Sequence, residues 1–543
     1  MTQYSHNSSI LTIMRKNKII VIVLIVLSAI IIVRNAWLCD DAYITFRVVD
    51  NFINGYGLRW NVAERVQVYT HPLWMFLLSF FYFFTREIFF TSNAISIILS
   101  ILAITLAAFK ISKSHKNALL ALTILCLSKA FIDYSASGLE NPLTHLILIL
   151  FFITLFNPDT SRRKLLALSF FTSLGVLNRM DTLLLFAPSL CYAVFEHLRT
   201  SSDEKLKSKL IKTFGFLLIG FLPFILWEAF SVFYYGFPFP NTAYAKLNTG
   251  IPAIKLAKQG LYYLISSFPK KTDLVTPLVV LSGIMLAVFS KSNRNKFIAA
   301  GIFLYILYII KIGGGFMMNR FLAAPLLCSV VIICRTEIFY KYKILIPTLA
   351  SVIILGFLSP FNPVLSGINY ENTNENVFVF NKGISDERGF YYKHSSLLKA
   401  LKGEKMPSHQ WVDQGIELRE KKPFSLIYYT SVGYLGFFAG PHTSIIDAVA
   451  LCDPLLARLP VPKKKYWRIG HFERIIPYGY TGSMHLAQSQ FKDKGLEKYY
   501  YKLSQIISGD LFDKNRFVEI WKMNTGQYKH LLENYKRDIS DKN

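Results

Sequence analysis

The chain has 543 residues, of which 52% are hydrophobic and 17% are charged, and its mean hydropathy is +0.35. Ordinary soluble domains carry about 25% charged residues, so the composition argues against a soluble globular protein and predicts a polytopic membrane protein. The formal net charge of +26 falls largely in short loops between apolar segments, as in cytoplasmic loops that face anionic lipids. This distribution favours membrane lipids as partners and argues against nucleic acid.

The first apolar segment covers about 19–38 and follows the basic stretch 15–18. It is long enough to cross a bilayer and too long for the apolar core of a signal peptide, so we interpret it as a retained anchor. The preceding basic residues place the N-terminus in the cytoplasm. Asp40 and Asp41 therefore emerge on the external side, where two adjacent carboxylates at the end of a membrane helix indicate function.

The first external loop is predicted over about 39–92. It includes a short helix at about 44–53, a turn at 54–57 and an apolar run at 72–84. That run is too short to span and suits a helix lying in the membrane interface. Counting it as a span would place the basic loop at 110–116 outside, against the charge rule for membrane proteins.

With the 72–84 run kept interfacial, every basic loop falls on the cytoplasmic side and the sequence predicts about eleven transmembrane helices. The predicted spans are 19–38, 93–109, 118–132, 143–156, 165–177, 183–195, 214–235, 274–289, 297–312, 321–333 and 344–358.

After residue 360 no segment is apolar enough to span, and an odd number of spans makes this part external. The predicted fold class is an α-helical polytopic membrane domain over 1–359 with a C-terminal α/β extracytoplasmic domain over 360–543, where 425–429 suggests a strand. In a bacterium these are the inner (cytoplasmic) membrane and the periplasm. Of the six cysteines only Cys39 and Cys452 lie outside, where a disulfide between them is chemically open.

Five polar clusters end up on the external face, each at the end of a predicted span. Residues of one site must share a side of the membrane, so this convergence indicates a single site. The clusters are 40–41, 137–141, 178–181, 238–246 and 313–320.

These side chains suit the transfer of a sugar from a lipid phosphate. A carboxylate must deprotonate the acceptor hydroxyl, cations must stabilise the leaving phosphate, and polar groups must orient the sugar. Asp40 is the predicted base and Asp41 the second catalytic carboxylate. The predicted ligands of the donor phosphate are Arg179, Arg320 and Lys246, and the predicted contacts to sugar or acceptor are Glu140, Asp181, Asn241 and His71.

Each assignment has a structural alternative. Asp40 and Asp41 could cap the helix that follows, and Glu140 could complement the dipole of a helix start. Arg179 could simply pair with Asp181, and Arg320 could extend to lipid headgroups. The Gly-Gly-Gly at 313–315 could be a flexible turn, and His71 could be structural.

The motifs at 40–47, 57–61, 64–66 and 69–74 together resemble the first external loop of the mycobacterial terminal β-(1→2) arabinofuranosyltransferase family. This family belongs to the C-type (GT-C) superfamily of polytopic, lipid-phosphate-sugar-dependent glycosyltransferases. The similarity continues over most of the chain, at 137–140, 238–246, 313–320, 447–460 and 467–474.

The resemblance implies a decaprenyl- or undecaprenyl-phosphate sugar donor, a glycan acceptor on the outer side and Asp40 as the essential acid. It also implies that the external domain helps to bind the acceptor. One position departs from the expected pattern, because Gly315 stands where the family resemblance leads us to expect Asp. The identity of the sugar is therefore left open, as arabinofuranose-like or other. The expected acceptor is an envelope glycan, and a polysaccharide or lipopolysaccharide is as open a choice as arabinan.

No cofactor follows from the sequence, although two adjacent acids permit a divalent metal ion. Two other function classes stay open. A transporter or flippase for lipid-linked sugars would need polar or broken helices near mid-membrane and usually an internal repeat. A catalytically inactive envelope-assembly protein would use the external domain alone to dock its partners.

Overall fold

The computed structural model describes residues 2–200, 205–247, 249–366, 370, 381–421, 425–462, 467–486 and 489–541. The side chains of the basic stretch at 15–18, except Lys18, lie outside this description. The fold is mostly helical, as predicted.

The helices are numbered here in chain order. They are α1 (Thr2–Arg34), α2 (Asp40–Ile53), α3 (Pro72–Thr85), α4 (Ile88–Leu106), α5 (His115–Leu127), α6 (Lys129–Asp133), α7 (Asn141–Phe156), α8 (Arg162–Asn178), α9 (Leu183–Thr200), α10 (Leu206–Gly220), α11 (Leu222–Tyr234), α12 (Asn241–Leu247), α13 (Ala253–Ile265), α14 (Val275–Val288), α15 (Asn293–Ile312), α16 (Ala323–Arg335), α17 (Tyr342–Phe357), α18 (Glu387–Ser395), α19 (Leu397–Leu401), α20 (Gln410–Lys421), α21 (Gly433–Ala439), α22 (Tyr480–Leu486), α23 (Lys494–Ser508), α24 (Lys514–Asn524) and α25 (Glu533–Asp541).

Within the described residues, two helical stretches are long and apolar enough to cross a membrane, Ile88–Ile111 and Asn293–Ile312. A third span is possible if α10 and α11, bent by 59° at their junction, count as one. Several other apolar helices have only 10–17 residues, and the predicted span 118–132 is divided between α5 and α6. The count of eleven is therefore not confirmed and stays a prediction.

The segment predicted as the first external loop forms two helices that position the acids. Helix α2 starts at Asp40, four residues before the predicted start, so both acids lie in its first turn. The N-cap is Cys39 and no side chain caps this helix, so the structure does not support the alternative that the acids cap α2. The apolar run is helical over Pro72–Thr85, with Pro at the favoured first position.

The C-terminal part contains a two-stranded parallel sheet in which β1 (Leu426–Tyr429) pairs with β2 (Ser444–Asp447). Helix α21 connects the two strands and makes a βαβ unit, so the strand predicted at 425–429 is present. Helices make up most of the rest of this part, within the described residues. The domain boundary near residue 360 stays a prediction.

A buried arginine joins the first external loop to this βαβ unit. The Arg47 guanidinium donates hydrogen bonds to the carbonyl oxygens of Trp60 (2.8 Å), Gly436 (2.8 Å) and Thr443 (2.6 Å). It also lies 4.5 Å from the centre of the Trp60 ring. All three acceptors are backbone carbonyl groups. The planar guanidinium therefore fixes the position of α2 relative to α21.

Buried charges make a second link between the two parts of the chain. The Lys129 ammonium, in α6, lies 2.5 Å from an Asp133 oxygen and 3.1 Å from an Asp386 oxygen. Arg388, in α18, lies 2.6 Å from Asp133. Removing one partner of such a network would leave a buried charge uncompensated, so this cluster fixes α18 against α6.

All six cysteines are free in the structure, and both Cys39 and Cys452 are buried. The pairing that the sequence left open between these two residues is not formed.

Candidate active site

An extended segment between α1 and α2 places the two acids, Asp40 and Asp41, beside the polar cluster at 137–141. The Trp37 N–H donates to the Ala136 carbonyl (2.9 Å), and the Cys39 N–H donates to the Ser137 carbonyl (3.1 Å). The Trp37 indole also donates to the Asp133 carbonyl (2.8 Å). The chain therefore enters α2 in a fixed direction beside the 137–141 cluster.

The Asp40 carboxylate lies at the N-terminus of helix α21. One oxygen accepts the backbone N–H of Tyr434 (2.7 Å) and the other accepts that of Gly433 (3.2 Å). Free N–H groups and the positive end of the helix dipole both favour a carboxylate at this position. Asp40 is 7% exposed, and each of its oxygens keeps a further lone pair.

Burial raises the pKa of Asp40 to about 7, although the N–H groups of Tyr434 and Gly433 act in the opposite direction. A general base works best when its pKa is close to the working pH. The environment of Asp40 therefore suits proton transfer near neutrality.

The close approach of α21 to Asp40 requires a glycine at position 433. A Cβ atom there would lie 1.9 Å from the Asp40 carbonyl oxygen and 2.7 Å from its Cγ atom. We therefore expect Gly433→Ala to force the two segments apart and lower stability by about 1–3 kcal/mol, measured as a lower melting temperature in detergent. The control Gly215→Ala, which places its Cβ in open space, should not lower it. An unchanged melting temperature for Gly433→Ala would contradict the contact.

Asp40 and Asp41 line a cavity of about 330 Å³ between α2 and the C-terminal part. Asp41 is more exposed than Asp40. Aromatic side chains form much of the wall, and flat rings suit the faces of sugars. These rings belong to Phe316, Phe390, Tyr391, Trp411, Trp467 and Phe472.

Several further polar side chains of this cavity had no role assigned from the sequence, among them Glu387, Arg468 and His471. Arg468 donates to the Ser385 hydroxyl (3.2 Å), lies 3.8 Å from a Glu387 oxygen and 5.2 Å from the centre of the Phe316 ring. Burial raises the pKa of Glu387 to about 8, although Arg468 acts in the opposite direction.

His471 packs edge-on against Phe316, with ring centres 4.3 Å apart. Burial lowers its pKa to about 3, and Arg468 and Lys246 add to the effect, so the imidazole is neutral. Its Nδ1 is buried and has no hydrogen-bond partner within the described residues. Arg468 and His471 lie in the 467–474 motif, one of the stretches that carry the family resemblance, so the sequence had marked this part of the cavity wall. Glu387 lies in no motif that the sequence analysis singled out.

Glu140 lies at the centre of a second polar cluster and is fully buried. Arg320 Nη2 donates to both of its oxygens (2.8 and 2.9 Å), and Arg179 Nη1 donates to one of them (2.9 Å). Burial opposes ionisation, but the positive charges of Arg320 and Arg179 outweigh it and hold the pKa of Glu140 below its usual range. The structure thus brings three predicted site residues from distant loops into direct contact.

The pairing of Arg179 with Asp181, the alternative noted from the sequence, is present. The two side chains form a bidentate pair with distances of 2.7 and 2.9 Å, and Tyr305 also donates to Asp181 (3.1 Å). Arg179 nevertheless reaches Glu140 as well. Arg320 also has a buried Nε–H with no partner among the described residues.

His71 connects the two acidic regions. Its Nε2 lies 2.8 Å from the Thr45 hydroxyl in α2, and its Nδ1 lies 3.5 Å from a Glu140 oxygen. Burial lowers the pKa of His71 to about 4, although Glu140 acts in the opposite direction. The ring is therefore neutral and supports the arrangement of Glu140 and α2, while a contact with sugar stays a prediction.

Lys246 and Asn241 are both in α12 but face different surroundings. The Lys246 side chain is exposed, and its ammonium lies 4.0 Å from where a Cβ of Gly470 would be, beside the cavity wall. The Asn241 amide instead donates to three backbone carbonyls of the 450–453 segment at 3.0–3.1 Å. This geometry gives Asn241 a positioning role, and its direct contact with sugar stays a prediction.

The position that departs from the family pattern, Gly315, is filled by a neighbouring ring. A Cβ at Gly315 would lie 2.7 Å from the Phe321 ring, and that ring lies 4.6 Å from the Arg179 guanidinium. An aspartate does not fit here unless Phe321 moves.

Among the described residues, no group of three or more His, Cys, Asp or Glu could hold a metal ion, and metal dependence stays a matter for experiment.

The chain is similar to the terminal β-(1→2)-arabinofuranosyltransferase of Mycobacterium tuberculosis, with 25% identity over 531 residues and 82% of each chain covered. This finding confirms the resemblance predicted from the motifs. No protein-family model matches the chain.

Solved structures similar to the chain include Archaeoglobus fulgidus AglB, an archaeal oligosaccharyltransferase in complex with an inhibitory peptide and a dolichol-phosphate. It has 12% identity and a TM-score of 0.46, over 79% of this chain and 64% of AglB. The chain therefore spans less than two thirds of AglB. ArnT from Cupriavidus metallidurans bound to undecaprenyl phosphate has 11% identity and a TM-score of 0.45, over 80% of this chain and 86% of ArnT.

Proposed function

We propose that the chain is a C-type membrane glycosyltransferase that moves a sugar from a polyprenyl phosphate to a glycan of the cell envelope. The observation that carries the proposal is the link through His71 between α2, the helix that begins with Asp40 and Asp41, and the Glu140–Arg179–Arg320 cluster. The sequence similarity to an arabinofuranosyltransferase supports the same class of reaction. The transferred sugar is proposed to be arabinofuranose-like or another sugar. The proposed acceptor is an envelope polysaccharide or lipopolysaccharide.

In the proposed reaction Asp40 removes the proton from the acceptor hydroxyl as that oxygen attacks the anomeric carbon. The bond from that carbon to the phosphate oxygen breaks, and the polyprenyl phosphate leaves with the negative charge. Asp41, the more exposed of the two acids, is well situated to orient the acceptor or the sugar. The wall residues Glu387 and His471 offer further contacts to hydroxyl groups.

The departing phosphate is proposed to meet Arg320, Arg179 and Lys246. Arginine forks bind phosphate in bidentate geometry, and Arg320 has an unused Nε–H within the described residues. Glu140 and Asp181 compensate the charges of Arg179 and Arg320 before the donor arrives. They also fix the orientations of the two guanidinium groups. Such preorganised groups stabilise developing charge without rearranging during the reaction.

The proposal places the chain in the bacterial inner membrane with eleven spans, a cytoplasmic N-terminus and an external C-terminal domain. The lipid of the donor then enters from the bilayer while the acceptor arrives from the aqueous side. The abundant exposed apolar side chains on α1, α10 and α11 support contact with lipid.

The test is turnover by the full-length protein in liposomes that contain a polyprenyl-phosphate sugar and envelope glycan from a strain lacking this chain. The expected product is that glycan with one added sugar, identified by linkage analysis, and parallel reactions with a chelator report metal dependence. If the deletion alters the glycan but the purified protein never extends it, a transporter or assembly role would replace the transferase.

The pH profile of this reaction should have an acidic limb near pH 7. Only the deprotonated Asp40 can accept a proton, and its pKa is about 7. Transfer should therefore rise with pH and level off above 7, falling about tenfold per pH unit on the acidic side. Measuring kcat/KM from pH 5 to pH 9 checks this. A limb near pH 4, the ordinary range of a carboxyl, would contradict the raised pKa of Asp40.

A further inference from the structure

A second and larger cavity, of about 1100 Å³, lies between the loop after α11 and the C-terminal helices. Sites for small molecules typically occupy about 300–1,000 Å³. This cavity is therefore large enough for several linked sugar units rather than one. Much of its wall belongs to the C-terminal part of the chain, including the 458–462 segment and residues of α23, α24 and α25.

The charged side chains of this second cavity all have the same sign. Four cations line it, and the described lining residues include no carboxylate. The cations stand on separate elements, namely Lys255 on α13, Arg458 in a short turn, Lys529 in the turn after α24 and Lys536 on α25.

The apolar part of the wall is rich in rings and prolines. Flat ring faces pack against sugar rings. Four branched aliphatic side chains and one methionine complete the apolar wall, namely Ile251, Leu459, Val461, Leu532 and Met523. The rings and prolines are Phe237, Pro238, Phe239, Tyr244, Pro252, Pro460, Pro462, Trp467, Tyr499 and Tyr528.

Arg458 is the most firmly held of the four cations. Its guanidinium lies 4.1 Å from the centre of the Phe237 ring and 4.6 Å from that of Tyr244. Its Nη1 donates to the Asn241 side chain (3.2 Å) and to the Pro454 carbonyl (2.7 Å). Asn241, predicted from the sequence to contact the acceptor, thus orients a cation of the second cavity. 

The second cavity adjoins the active-site cavity. Val461 and Trp467 line both of them. A glycan that lies in the second cavity would therefore be next to the cavity that holds Asp40 and Asp41.

We propose that the second cavity binds the acceptor and that the acceptor is an anionic glycan, with phosphate or carboxylate groups on its sugars. This inference rests on the proposed transferase function and deepens it. A lipid phosphate presents its charge at one end, whereas the four cations are distributed over separate elements and match charges spaced along a glycan. The absence of carboxylates among the described wall residues removes the repulsion that an anion would otherwise meet.

The experiment measures binding to the full-length protein in detergent by calorimetry, without turnover. The probe is tetragalacturonate, and its fully methyl-esterified form is the neutral control with the same backbone. The test variant carries Lys529→Gln and Lys536→Gln, both on exposed side chains. The matched control carries Lys498→Gln and Lys514→Gln, which change the net charge equally on exposed residues of α23 and α24 that do not line the cavity.

We expect the test variant to bind tetragalacturonate about tenfold more weakly than the native protein and the control variant to change affinity less than twofold. The methyl ester should bind at least tenfold more weakly to the native protein. Equal binding of the charged and neutral probes, or equal loss in both variants, would overturn the proposal. Displacement of the probe by undecaprenyl phosphate would assign the cavity to a lipid instead.

The failure of this inference can be distinguished from failure of the proposed function. Asp40→Asn should bind tetragalacturonate as the native protein does, because Asp40 is not in the second cavity. Transfer without charge-selective binding would refute the inference alone. Charge-selective binding without any transfer would refute the proposed function alone.

Discussion

Asp40→Asn should lower the rate of sugar transfer by about 10²–10⁴-fold, the usual contribution of a general base. Asparagine keeps the size of the side chain but cannot accept the proton of the acceptor hydroxyl. It also places an NH₂ group near one of the two N–H donors of α21, which removes one hydrogen bond and costs about 1 kcal/mol. The variant should therefore fold, and its transfer rate in liposomes and its melting temperature should be measured on the same preparation.

Two further variants make this result specific. Asp413→Asn removes a carboxylate from an exposed position on α20 and should leave transfer unchanged. Asp41→Asn should reduce transfer less than Asp40→Asn, because Asp41 is proposed to orient substrate rather than to take the proton. Full activity in Asp40→Asn, or a larger loss in Asp41→Asn, would move the role of base away from Asp40.

Glu140→Gln should destabilise the protein by about 3–5 kcal/mol, the cost of removing one partner from a buried ion pair. Arg320 would then lose the carboxylate that accepts two of its hydrogen bonds, while Arg179 would keep Asp181. Transfer should fall too, because the two arginine forks would no longer be held together. Thermal unfolding in detergent and the transfer rate at a temperature below the transition measure the two effects separately.

The exposed pair of Glu417 and Lys421, 3.0 Å apart, provides the matched control. Glu417→Gln should change stability by less than about 1 kcal/mol, since exposed ion pairs contribute little. Combining Glu140→Gln with Arg320→Gln should recover part of the lost stability, because the uncompensated charge is gone. If the double variant is as unstable as the sum of the single ones, Glu140 and Arg320 do not act as a pair.

The segments that form helices follow from local sequence. Long apolar runs made α4 and α15 predictable, and the short run at 72–84 gave a helix of 14 residues, Pro72–Thr85. Clustering of polar residues at the ends of these runs correctly selected Glu140, Arg179 and Arg320 as neighbours, since residues at the same end of a helical bundle are close in space. The motif at 467–474 also marked a wall of the cavity without indicating what its residues contact.

Tertiary structure alone decided which partners these side chains meet. Asp40 accepts hydrogen bonds from residues 393 and 394 positions away in the chain, and no local pattern encodes such a contact. The same holds for Glu387, which shares the cavity with Asp41, and for Asn241, which supports Arg458 instead of pointing into the active-site cavity. Hydrophobic periodicity reports which face of an element is buried. The group buried against that face depends on how distant segments pack, so the environment that raises the pKa of Asp40 exists only in the folded chain.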